Sequence, residues 1–495
     1  DASIADIAVG LAAVWAFHTA FQATGKKSKT TKLRGPKSND LFFGVSGEVF
    51  RSAGMGGMYE AWAKEYGVAY EIPMICGERR TQICDPRAAA HFFSKNTWSY
   101  VGMGKGLSYG EGESHRRQRR TMGPSFNSTA IRKLAPTVHK AIDKVKAAWK
   151  ASIEASGNDS IVLDVQECLD AFGIAGFSYD FNSLNGKPNA MISVFDSFAA
   201  GMPQSAFSVA VSVLTLVFPI ASNIPTQRNQ MLDQLHKRMT ELCDALIDNA
   251  NANRDTGENA STINLLLTMT WGLLELAWHP NIQNKLREEL LSFGEPSYDE
   301  LTNDFPYLDA VVQEVLRLHP SVPELTREAA EDDVIPLLDP VRTKSGEVVN
   351  SIVVERGTIL SVPISCINRS DVIWGPDAKA FKPERRPEPN GITKKAREVK
   401  GHRHLLTFGD GPRSCTGKTF ALAEIKTVLS MAIRNFVLEM KDGPDTKVEL
   451  SRGITLRPKV VGEDGIRVPL RIRQYEGRKS ALTRMHFVGV IWLQL

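Results

Sequence analysis

From residue 115 to about 290 the apolar positions recur with a helical rhythm for most of the distance, and the stretches 130–155 and 226–250 are long and amphipathic. NIQNKLREELLSF, 281–293, follows His279-Pro280 as a further helix. YLDAVVQEVLRLH, 307–319, has apolar residues at 308, 311, 312, 315 and 318, one face of a helix that Pro320 stops. KTFALAEIKTVLSMAIRNF, 418–436, predicts another helix behind a glycine-rich turn. Strand patterns lie towards the two ends of the chain. Residues 67–85 read as two strands about Gly77, and Pro86 opens the short helix PRAAAHFFS. Further strands are predicted at 352–364, 453–461 and 467–474. The pattern is therefore mainly α with small β-sheets built from both ends, and that interleaving predicts one domain. No repeat or low-complexity tract interrupts it.

The N-terminal pattern differs. IAVGLAAVWAFHTAF, 7–21, is apolar apart from His18, and Lys26, Lys27, Lys29, Lys32 and Arg34 follow. Fifteen helical residues reach ~22 Å against ~30 Å of bilayer core. The apolar run before a basic cluster predicts a membrane anchor with its basic side in the cytosol. A signal peptide and a peripheral amphipathic helix are the alternatives. Arg34-Gly35-Pro36 marks entry to the folded body. The expected division is an anchor and linker over 1–34, a catalytic body over 35–476 and a separate tail over 477–495, whose end FVGVIWLQL is strand-like.

Composition narrows the function. Over 495 residues the net charge is +4, too mild for a nucleic-acid binder. Six cysteines, at 76, 84, 168, 243, 366 and 415, form no CxxC pair and no zinc spacing with histidine. Five of them read as reduced, buried thiols of a cytosol-facing protein.

Cys415 is the exception, in FGDGPRSCTGK. Gly411 and Gly417 allow unusual φ values or close approach to a flat ligand, and Pro412 stiffens the turn. A cysteine at a helix N-terminus, with Arg413 nearby, is expected to favour thiolate. Such a thiolate can be a nucleophile or a metal ligand. His402 and His404 lack a nucleophile–base spacing, whereas a thiolate on haem iron needs no second protein ligand on its side.

Phe408, Gly411, Arg413, Cys415 and Gly417 match F-x-x-G-x-R-x-C-x-G in full, and the loop resembles the haem loop of the cytochrome P-450 family. Glu314 and Arg317 in EVLRLHP resemble that family's E-x-x-R, and Arg385 in FKPERR resembles the arginine that joins the pair; Arg386 stands where an aromatic is common. GESHRRQRR, 112–120, resembles the helix that meets a haem propionate, with His115 in place of tryptophan and Arg119 at the arginine. Arg327 in PSVPELTR falls at another propionate-binding position, and Arg413 is a third candidate. The resemblance spans roughly 35–475 and is of the eukaryotic microsomal, fungal-like type. It implies a helical bundle around buried haem b plus a β-rich lobe, with Cys415 as catalytic axial thiolate. It implies a monooxygenase that inserts one oxygen atom of O2 into a lipophilic substrate. Electrons would come from NADPH through a flavoprotein reductase, with cytochrome b5 as a further donor. The expected location is the endoplasmic reticulum membrane, with the haem domain in the cytosol. Arg116, Arg117 and Arg120 read as a solvated basic face that could meet an acidic redox partner.

One segment departs from the family. Its central helix carries an A-G-x-D/E-T-T stretch that serves proton delivery to bound oxygen. In the same register from Trp271 this chain has ASTINL, 260–265, with no acid and with Asn264 and Leu265 at the threonine positions. The helical run 262–278 is ~25 Å long, against a molecule ~60 Å across for a chain of this length. INLLL also resembles the segment that precedes the central helix, so a deletion is expected between INLLL and TMTWGLL. A haem-thiolate isomerase or lyase, which needs no such motif, and a non-catalytic family member are the alternative functions.

Overall fold

The computed structural model describes residues 29–165 and 262–476, with breaks at 41–42, 52–54, 95–98, 102–109 and 453–455, together with residues 230, 233 and 237. The anchor expected at 7–21, the amphipathic stretch 226–250 but for three residues, and the tail lie outside the described residues. Among the described residues no helix is long and apolar enough to cross a membrane.

The helices used below are α1 (Met55–Tyr66), α2 (Pro86–Phe93), α3 (Gly112–Met122), α4 (Ser128–Ser156), α5 (Thr262–Trp278), α6 (Pro280–Ser292), α7 (Tyr298–Asn303), α8 (Pro306–Leu318), α9 (Ile364–Arg369) and α10 (Lys418–Asn435). Local chemistry sets their starts. Asp85 accepts from the amides of Arg87 and Ala88 to cap α2, with Pro86 at the first turn. Asn127 accepts from Ala130 N–H to cap α4, which ends on left-handed Gly157. Ser297 and Glu300 form a reciprocal capping box on α7.

The strands are β1 (Ala69–Pro73), β2 (Arg79–Ile83), β3 (Tyr100–Val101), β4 (Ser160–Asp164), β5 (Leu325–Ala329), β6 (Asp333–Arg342), β7 (Val348–Val354), β8 (Ile359–Val362), β9 (Phe436–Met440), β10 (Val448–Arg452), β11 (Leu456–Val460) and β12 (Pro469–Gln474). One sheet runs β1-β2-β8-β5-β3 and another β4-β12-β9; β6-β7 and β10-β11 are separate pairs. Strands from opposite ends of the chain share the two larger sheets, as the pattern predicts. The run 352–364 divides between β7 and β8, because Gly357 takes φ +88° in a turn.

Buried side chains from Leu33 to Ile472 join in one cluster, with α5, α8 and α10 contributing continuously buried faces. A second, smaller cluster contains Val45, Tyr59, Tyr70, Ile72, Cys84 and Cys366.

Candidate active site

The Cys415 loop is held from three sides. Cys415 N–H donates to Phe408 O at 2.8 Å, which folds the loop on itself, and Phe408 packs on the main core. Gly411 takes φ +66°, and a Cβ there would lie 2.0 Å from Phe93 O at the end of α2, so side-chain-bearing residues are excluded on both counts. Gly417 has φ −81°, an ordinary value, so of the two expectations for it unusual backbone geometry is removed and close approach to a flat ligand stays as the expectation. Arg119, on α3, donates from Nη1 to Ser414 O at 2.6 Å and lies 3.4 Å from Thr416 Oγ1, bracketing the cysteine. The Cys415 side chain is exposed at the loop surface.

The thiolate expected of Cys415 belongs to the iron-bound loop. Burial of the sulfur's surroundings pushes the Cys415 thiol up, against the Gly417 N–H and the charges of Arg119 and Lys418. Residual solvent exposure and crowding coexist because the sulfur faces outwards from a dense loop. The three opposing groups favour the anion once a cation binds it, since metal ligation itself expels the proton.

Positive charge collects around the loop. His115 is buried, and burial followed by the charges of Arg119 and Arg413 lowers its pKa. Arg327 is buried with its guanidinium 4.7 Å from the Phe92 ring and 5.5 Å from the Phe93 ring, and it donates to Phe92 O at 3.3 Å. Burial first and Arg413 second bring it down to about 10. Burial lowers Arg413 as well, with Glu111 opposing. The charges of Arg119 and Arg413 thus act on His115, that of Arg413 acts on Arg327, and Arg119 also acts on the exposed thiol. The donor set fits haem: a single soft anionic ligand for iron, and guanidinium and imidazole groups for two carboxylates. Arg116, Arg117 and Arg120 are exposed, and Arg116 pairs with Glu113 at 2.7 Å.

Glu314, Arg317 and Arg385 come together as their spacing predicts, and they are fully buried. Arg317 binds Glu314 in a fork, Nε to Oε2 at 3.0 Å and Nη2 to Oε1 at 2.7 Å. Arg385 Nε reaches the same Oε1 at 3.3 Å, and its Nη1 reaches Asp377 Oδ1 at 2.7 Å. Arg317 also donates to the carbonyls of Asn368 and Ala378. Asn368 then holds the approach to the cysteine loop: its Nδ2 donates to Thr407 Oγ1 at 3.0 Å, and Leu406 N–H donates to its Oδ1 at 3.3 Å. Asp377 and Asn368 lacked any motif signal; only folding places them. Arg386, at the aromatic position, lies 5.7 Å over Trp374 and donates to Arg403 O at 2.7 Å.

Helix α5 has the expected span. Two of its threonines are committed: Thr270 donates back to Leu266 O at 2.9 Å, and Thr268 lies 3.2 Å from Ser321 Oγ. Its sole acid, Glu275, is 2.7 Å from His319 Nε2, while Trp271 stacks on the His319 ring at 3.9 Å.

The sequence pattern of the cytochrome P450 family matches residues 82–269 and 259–461. The chain is a member of the cytochrome P450 family. Cytochrome P450 monooxygenases claQ and claP of Ampulloclitocybe clavipes are 43% and 42% identical to it, each covering 95% of this chain and 98% of its own length. Cytochrome P450 monooxygenase 205 of Postia placenta is 30% identical over 90% of this chain and 93% of its own length. The family holds haem iron by a cysteine thiolate, and its monooxygenases draw on a redox partner and a small-molecule substrate. The alignment with claQ runs over 529 positions but takes in 95% of the 495 residues here, about 470, so about 59 positions of that P450 face no residue of this chain. The two family matches overlap at 259–269, where α5 begins and where the sequence pattern predicts the deletion.

Proposed function

We propose that Cys415 is the axial thiolate of this P450 monooxygenase, and that His115, Arg119, Arg327 and Arg413 hold the haem propionates. The observation that carries the assignment is the bracketed loop: an exposed thiol whose flanking residues, Ser414 and Thr416, are both engaged by one propionate-side arginine, Arg119. Haem when bound supplies the activation of dioxygen. The chain's own part is positional. Gly417 N–H and the Arg119 and Lys418 charges hold negative charge on Sγ, and they limit how strongly the sulfur donates to iron. Gly411 lets the loop lie against Phe93 without a side chain between them. Glu314, Arg317 and Asn368 fix the segment that enters the loop, so the sulfur stays aimed outwards.

The finer reading follows the resemblance. The substrate is a lipophilic small molecule and the electron donor an NADPH-dependent flavoprotein reductase, with cytochrome b5 as a second donor. The exposed Arg116, Arg117 and Arg120 suit an acidic partner surface. Residues 35–476 form the haem domain, held at the endoplasmic reticulum membrane by the apolar N-terminal run, with 477–495 as a tail.

The test is the ferrous–CO difference spectrum of the haem-loaded chain. The red-shifted Soret band of thiolate ligation is expected, and Cys415→Ala should abolish it. Survival of that band in the variant would overturn the assignment. A second reading, turnover of peroxides or endoperoxides without a reductase, is favoured by one observation: α5 has no acid before Glu275, and its Thr268 and Thr270 are hydrogen-bonded elsewhere. Reductase-dependent NADPH consumption coupled to product separates the two.

A further inference from the structure

We propose that Cys84 and Cys366 are a redox pair that hydrogen peroxide closes into a disulfide, tying the five-stranded sheet to α9. The sulfurs lie 3.9 Å apart, in van der Waals contact, although 282 positions separate the residues. Cys84 directly follows β2, and Cys366 sits inside α9. Both are buried in the smaller apolar cluster, where Tyr59, Tyr70 and Ile72 surround them. This proximity goes beyond the haem chemistry, and the spacing of the cysteines gave no hint of it.

Access separates this pair from two ordinary core thiols. Both cysteines line one cavity of about 60 Å³, shared with Glu60, Ser370 and the exposed Lys64 and Val372. That volume admits a few water-sized molecules. A small polar oxidant can therefore reach the sulfurs through the rim, while bulky thiol reagents are kept out. The sulfurs need to approach from 3.9 Å to about 2 Å, a movement within reach of side-chain rotation and slight helix adjustment.

The chemistry balances with the peroxide as sole oxidant. One thiol, deprotonated, attacks a peroxide oxygen; the O–O bond breaks and the released hydroxide takes up the proton to leave as water. The resulting sulfenic acid is attacked by the second sulfur, an S–S bond forms, and a second water leaves with the second thiol proton. Two thiols lose two electrons and one peroxide gains them. The hydrogen bond with Cys84, burial and the nearby Glu60 hold Cys366 as a thiol, so the pair answers sustained rather than brief exposure.

The consequence reaches the cysteine loop. Cys366 is two residues from Asn368, whose carbonyl binds Arg317 and whose side chain holds Thr407 and Leu406 ahead of Cys415. A bond at Cys366 therefore anchors, through α9, the support of the haem loop.

The experiment treats the haem-loaded full chain with hydrogen peroxide, blocks free thiols after denaturation, and maps disulfides by mass spectrometry without reductant. A Cys84–Cys366 linked peptide, lacking two hydrogens and released by dithiothreitol, is expected. The oxidised chain should also melt at a higher temperature than the reduced one, and Cys84→Ser and Cys366→Ser should each lose both effects. Recovery of the two cysteines as separate peptides, whether free or individually over-oxidised, would overturn the proposal. So would linkage of either to Cys76, Cys168, Cys243 or Cys415. The mapping on the unsubstituted chain decides the matter even where a serine variant does not fold.

Discussion

Arg317 and Arg385 are neutralised from within the chain by Glu314 and Asp377, whereas the charges of Arg119 and Arg413 act on His115 and that of Arg413 acts on Arg327. Both groups are removed from bulk water to a large degree, and both look alike in sequence, as basic residues set among apolar ones. The difference lies in where the compensating anion comes from. In the first group it is a side chain present at all times, so the group holds the fold around the cysteine loop. In the second, Glu111 acts on Arg413, and the proposed further anions are the carboxylates of the cofactor, so the group is expected to answer to function. Buried charge is costly in either case, and the two groups should therefore fail in different assays.

The largest expected effect is on the internally neutralised group. Glu314→Gln leaves the buried Arg317 without its carboxylate and Arg385 with Asp377 alone, and should cost about 3–5 kcal/mol of stability. Chemical denaturation of the haem-free chain checks this; a loss near that of an exposed pair would break the comparison. Next comes a buried carboxyl that neither group uses. Glu424 on α10 faces a small cavity with His139, Tyr298 and Thr427, and burial pushes it up to about 8 from an ordinary 4.5. Its folded value is raised, so the folded chain binds the extra proton. Stability is then lost progressively as pH rises from the unfolded value and levels off above about 8. Glu424→Gln should thus gain about 2–4 kcal/mol at pH 8 and little below pH 4.5. Melting temperatures across that pH range would show a flat difference if the carboxyl were already ionised in the fold.

The second group should answer to haem rather than to denaturant. Arg327→Met removes one charge-assisted contact and should weaken haem binding by about ten- to hundredfold, or about 1.5–3 kcal/mol. Unfolding of the haem-free chain should change little or even improve, since a buried cation is removed. Haem titration against denaturation of the same variant separates the two; equal losses in both would merge the groups. The smallest effect sets the baseline. Arg132 and Asp299 pair at 2.7 Å while well exposed, and Asp299→Ala should cost about 0.2–1 kcal/mol, less at high salt.

Much of the site was legible because its chemistry is local. The pattern Phe408–Gly417 dictates a turn, a thiol and a following helix within ten consecutive positions. Glu314 and Arg317 are one helical turn apart, so their pairing follows from helix geometry alone. The span of α5, and the place where the family pattern breaks, were likewise readable from its register. What escaped has one common feature: the contact depends on how irregular or separate segments pack rather than on a regular spacing. Asp377 meets Arg385 through an irregular segment, and Cys84 meets Cys366 across 282 positions. β10 was missed because VELSR is a weak strand pattern that becomes a strand by pairing with β11. At Cys415 the local and remote influences oppose each other: the Gly417 N–H and the charges of Arg119 and Lys418 favour thiolate, while burial by surrounding segments pushes the thiol up.

The sequence by itself determined the element types, the thiol loop, the carboxylate–arginine pair and the absence of the family's acid and paired threonines, with Asn264 and Leu265 in the threonine positions. Each depends on neighbours within a turn or two, where backbone geometry leaves few alternatives. Only the tertiary structure decided which arginines are neutralised and which share a crowded field, that Asn368 supports the cysteine loop, and that two distant thiols touch. Those outcomes depend on desolvation and on distances between segments far apart in the chain, and such distances are set by packing rather than by the order of residues.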